Sequence, residues 1–95
     1  MSRKDSDQPK AVALKYEGGK KAPTVIAKGK GLIAEQIINI AEEHDIPLHE
    51  DRELVEILSQ IELDDEIPIE LYQAVAEVLA FIYKLRNKVL NPSEA

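Results

Sequence analysis

The sequence predicts a small α/β domain: a mixed β-sheet of three to four strands packed by about three helices, in the order ββαβαα. Three observations predict it. Two apolar, partly β-branched segments near the N-terminus each run into glycine. Apolar residues then recur at helical spacing in three later stretches. A chain of 95 residues without cysteine has room for one thin core and no disulfide to reinforce it.

Residues 1–10 are polar and aperiodic and read as a tail. Ala11–Tyr16 (AVALKY) is the first expected strand, closed by the turn-forming pair Gly18-Gly19, and Thr24–Lys28 (TVIAK) the second. Gly29-Lys30-Gly31 breaks that strand and opens a helix that reaches His44, with Ile33, Ile37, Ile40 and Ala41 as its expected buried stripe. Ile46–Glu50 (IPLHE) reads as a third short strand, with Pro47 marking an edge. Asp51 is a fitting N-cap for a two-turn helix that turns Leu54, Val55 and Leu58 inward. Glu62–Glu66 is an acidic loop, and Pro68 suits the first turn of a last helix ending near Asn87. The folded unit is therefore expected over residues 11–87, with residues 88–95 as a second tail.

That last helix carries two apolar stripes. Leu71, Val75, Val78, Ile82 and Leu85 form one, suited to lie on the sheet. Tyr72, Ala76, Leu79 and Tyr83 form another, about 100° away by helical geometry. Either the short helix over Arg52–Gln60 covers the second stripe, or part of it is a shallow apolar docking patch in which Ala76 leaves a dimple.

Charge is divided unevenly. Residues 1–30 hold eight Lys/Arg against three acids, a net of +5, while residues 31–95 hold four against fifteen, a net of −11. The overall charge of −6 argues against nucleic acid as the main ligand, and the asymmetry suits steering toward a charged protein. No apolar run is long enough to span a bilayer, so a cytoplasmic protein without direct membrane insertion is expected. No metal, cofactor or catalytic constellation is legible. His44 and His49 have no standard ligand spacing, and the few serines sit in tails or a helix. Lys28-Gly29-Lys30-Gly31 matches neither a phosphate-binding loop nor the Gly-x-x-Gly of an RNA-binding corner.

Four segments, in order and in register, carry a resemblance: AVALKY (11–16), APTVIAKGKGL (22–32), IAEEHDIP (40–47) and EIPIELYQAVAEVLAFIYKL (66–85). Together they resemble the C-terminal cytoplasmic domain of the FlhB/YscU family, export-gate proteins of the flagellum and of type III secretion. The chain looks like a stand-alone FlhB-like (FlhX-type) protein. The resemblance implies a protein-binding module of the export apparatus, one that helps set the order of secretion, and with no catalytic constellation among the residues no enzyme is expected. It would dock export substrates, or substitute for the fragment that follows the self-cleavage point of a membrane-embedded gate protein. An adaptor or regulator acting outside the gate is the alternative. The implied partners are export substrates and the gate protein or its N-terminal fragment, at the inner face of the membrane. If the family's docking surface is kept, Ala22 and Pro23 lie near Ala76 and Leu79, with Tyr72 and Tyr83 alongside.

One departure stands out. Family members carry Asn-Pro-Thr-His immediately before the place of Lys10, where this sequence has Ser6, Asp7, Gln8 and Pro9. Self-cleavage there needs the Asn side-chain amide to attack its own carbonyl and expel proline. Ser6 has no amide and Asp7 is not proline, so cleavage is expected to be lost. The apolar strand that precedes the motif in the family is expected to be missing as well.

Overall fold

The structure, a computed structural model, describes residues 8–17 and 22–90, with side chains as far as Lys84. Residues 1–7 of the tail expected over 1–10, the Gly18-Gly19 turn and the last five residues lie outside the described residues, and Lys10 already belongs to a strand. Two strands, β1 (Lys10–Lys15) and β2 (Thr24–Lys30), are followed by α1 (Leu32–Glu43), α2 (Arg52–Leu58), a 3-10 turn (Ile69–Leu71) and α3 (Tyr72–Leu90). The α/β class with three helices is as the sequence predicts, and α3 continues three residues past Asn87.

β1 and β2 are antiparallel, pairing Lys10 with Lys30 at one end and Lys15 with Thr24 at the other. The register shifts between Ala13, which faces Ala27, and Leu14, which faces Val25, so Ile26 is an extra residue that bulges. Partners in a ladder share a face, which sorts the side chains into two sets. On one face Val12 and Leu14 pack against a core of Ala22, Val25, Leu58, Ile67 and Val75. Lys10 and Lys28 reach α2 from the same face. The other face is built of Ala11, Ala13, Ala27 and Gly29, and α1 lies on both strands there. The result is three layers: α1, the sheet, and α2 with the start of α3.

The small residues of that second face correct the expected stripe of α1. Ala34 and Ala41 are the buried residues of the helix, Ile37 and Ile38 are half-buried, and Ile33 and Ile40 are 55% and 53% exposed. A shallow alanine and glycine surface lets the backbone come close, so the helix turns its alanines down and its isoleucines to the flank. Contact is tight at the start: a Cβ placed on Gly29 would lie 2.8 Å from Ile33 Cβ and closer still to Ile33 Cγ2. Gly31, with φ +64°, makes the strand-to-helix corner that a side chain would strain.

The third strand expected at Ile46–Glu50 does not form, and the described sheet has two strands rather than three or four. Two causes are visible. Pro47 has no N–H to give a ladder. The edge of β2 is also occupied at its first half by the acidic segment, because Val25 N–H donates to the Asp65 carbonyl (3.0 Å) and Asp64 N–H to the Val25 carbonyl (2.6 Å). Thr24 and Glu66 form a single bridge there, and Ile67 N–H donates to the Pro23 carbonyl at 3.0 Å. The acidic loop is therefore fastened along β2, and the Ile67 that follows it is buried in the core.

Candidate functional site

Asp51 caps α2 as its sequence predicts, its side chain accepting from Leu54 N–H at 3.1 Å. The other end of α2 is held by a residue that sequence reasoning passed over. Lys28 Nζ, half-buried on β2, donates to the carbonyls of Ser59 (3.0 Å) and Ile61 (2.7 Å). A cation at the negative end of a helix is favourable, and here it ties α2 to the sheet. Lys10 Nζ reaches Glu56 at 2.7 Å one turn earlier. These contacts set α2 against β1, so Leu58 meets Val25 and Val75 in the core.

α3 begins under this arrangement. Proline at 68 takes an extended backbone, a 3-10 turn follows, and the helix starts at Tyr72. Val75 is buried, and Leu71, Val78 and Ile82 are half-buried, so the first stripe faces inward as expected through Ile82. Of the second stripe, Tyr72 and Leu79 are half-buried and pack against the core cluster that contains Ala22. Ala76 is exposed, and Tyr83 is 66% exposed.

The six residues named for a patch thus differ in burial. Ala22, only 2% exposed, and Pro23 are buried. Tyr72 and Leu79 are half-buried, and Ala76 and Tyr83 are exposed. Helical spacing could assign the α3 members, but nothing in the spacing could tell that Ala22 and Pro23 would be covered.

At the positions of the cleavage motif, Ser6 and Asp7 lie outside the described residues. Gln8 and Pro9 are exposed and run beside the glycine corner, where Gly31 N–H donates to the Pro9 carbonyl at 2.8 Å. The two histidines are apart in role. His44 Nδ1 lies 2.9 Å from the Ile40 carbonyl at the end of α1, and the His49 ring meets Phe81 of α3 edge-on with centroids 5.6 Å apart. Among the described residues no cluster of His, Asp and Glu could hold a metal ion. None of the described helices is long and apolar enough to cross a membrane.

The sequence and the fold recur in known proteins. The chain is 52% identical over 83 residues to the uncharacterized protein YlqH of Bacillus subtilis, an alignment covering 86% of this chain and 89% of YlqH. It is 43% identical to the flagellar biosynthetic protein FlhB of the same organism, over 83% of this chain but 22% of FlhB. This chain therefore spans under a quarter of the length of that FlhB. Among solved structures, the PscU C-terminal domain superposes with a TM-score of 0.73 and 33% identity, covering 77% of this chain and 95% of that domain. An EscU C-terminal domain superposes with a TM-score of 0.72 and 35% identity, over 82% and 84% of the two chains. Residues 9–82 match the FlhB HrpN YscU SpaS family, and with the fold in agreement the chain belongs to that family as a C-terminal domain of FlhB/YscU type.

Proposed function

We propose that this domain is a protein-docking module of flagellar or type III export, and that export substrates bind along α3. One observation carries the proposal: Ala76 and Tyr83 stand exposed on the same stripe of α3 as half-buried Tyr72 and Leu79, which pack on the core cluster that contains Ala22. An apolar flank with a small residue at its centre suits a partner side chain. Replacing Ala76 by glutamate fills the dimple with a charge at an exposed site, so folding should be kept. Binding of a panel of export substrates from the same cell should fall about tenfold or more, as loss of a docking centre does. Unchanged binding by A76E, in a protein with an unaltered melt, would remove α3 as the dock. Leu79→Asp is a poor test, since Leu79 packs on the core and a charge there would endanger a domain of this size.

The module is proposed to act without cutting itself, with residues 11–87 as its folded unit, at the cytoplasmic face of the membrane. Ser6 and Asp7 stand where the reaction needs Asn and Pro. The substrate-binding preparation should accordingly remain one species by mass spectrometry over days at neutral pH, and a fragment starting at Asp7 would refute the point. A second reading, substitution for the post-cleavage fragment of a gate protein, is favoured by the outer edge of β1. That edge pairs with no strand among the described residues. An adaptor acting outside the gate would bind substrates yet ignore the gate protein.

A further inference from the structure

α1 departs from two local rules at once. A helix on a sheet normally hides its largest apolar residues, yet Ile33 and Ile40 lie on its open flank with half-buried Ile37 between them. The carbonyl end of a helix favours cations, yet Glu42, Glu43 and Asp45 crowd it, and its last turn holds no base. Residues 31–51 contain six acids and neither lysine nor arginine. None of Glu42, Glu43 and Asp45 has a salt bridge among the described residues. Features that weaken a helix without serving its own fold point to something outside it.

We propose that the flank of α1 formed by Ile33, Ile37 and Ile40 is a second docking surface, and that its occupant is a basic amphipathic helix of a partner protein. The isoleucines lie one helical turn apart, the spacing at which an apolar helix face interlocks. The acids at the C-terminal end of α1, added to the negative pole of the helix dipole, attract Lys or Arg bordering such a face. This surface belongs to the layer opposite α3, so it is separate from the docking stripe of Tyr72, Ala76 and Leu79.

The probe is a pair of synthetic amphipathic helical peptides, one of leucine and lysine and one of leucine and glutamate. Each is titrated into isotope-labelled full chain and followed by NMR. The leucine–lysine peptide should move amides of residues 32–46, and the leucine–glutamate peptide should move none. Ile40→Gln and Glu43→Lys should each weaken binding about fivefold or more, as removal of a contributing contact does. Neither should lower the melting temperature, because Ile40 is exposed and a lysine suits that helix end. A76E should leave this peptide unaffected, which separates the outcome from that of the α3 dock. Shifts spread equally over the acids at 62–66 would mean general attraction to negative charge and would overturn the proposal. So would a concentration-dependent dimer that Ile40→Gln dissociates, since a second copy would then be the occupant.

Discussion

Two aspartates set helix boundaries: Asp51 starts α2 and Asp45 ends α1. Asp51 was readable as a cap because a short acceptor before a helix has one common use, and it binds Leu54 N–H. Asp45 carries no such signal in the sequence, and it closes α1 in the left-handed region at φ 57°. Ile46 N–H then reaches back to the Ala41 carbonyl (2.8 Å) and Asp45 N–H to that of Glu42 (3.3 Å), the paired bonds of a Schellman motif. Glycine is the usual residue at that position, and no glycine was present to signal it. Asp45→Gly should therefore relieve the left-handed strain and remove an acid from a negative helix end. The expected gain is about 1 kcal/mol, or roughly 4–8 °C in melting temperature. A thermal melt followed by circular dichroism checks it, and a lower midpoint would contradict the cap assignment.

Elements were legible in kind and less so in the face they bury. Helical spacing placed α1, α2 and α3, but spacing reports where apolar residues fall and not the depth of the surface beneath. The alanine and glycine face of the sheet selected Ala34 and Ala41 over Ile33 and Ile40, a tertiary effect no window of sequence contains. The position of α2 was equally hidden, because it depends on Lys28, a lysine in the middle of an apolar strand segment. Its ammonium serves two carbonyls that would otherwise be left without that donor. Lys28→Met should cost about 1.5–3 kcal/mol, the range for hydrogen bonds to a charged group. Lys15→Met removes only an exposed pair with Glu17 and should cost at most about 1 kcal/mol. Urea denaturation of both variants tests the contrast, and equal costs would mean that Lys28 does not position α2.

At the scale of the molecule, the class and family were legible because four segments keep their order, whereas the sheet was overcounted. An IPLHE segment has strand-like composition, but its proline and the occupied edge of β2 leave it unpaired, while the acidic stretch at 64–66 takes the place beside β2 instead. Pairing competition between distant segments decides such outcomes, and composition does not record it. The same bookkeeping of edges yields the last prediction. β2 is paired on one side by β1 and partly covered on the other, but β1 has a strand on one side only among the described residues. On its outer side, N–H and C=O groups of alternate residues are available to an added strand, and edges of this kind bind extended peptides through main-chain hydrogen bonds. A peptide carrying the apolar strand that precedes Asn-Pro-Thr-His in family members should bind here if the domain can stand in for a gate protein's post-cleavage fragment. The amides of Lys10–Lys15 should shift on titration and become slower to exchange with solvent, while those of α1 and α3 stay in place. Peptide shifts confined to α3, or none at millimolar peptide, would reject fragment substitution and leave substrate docking as the function to pursue.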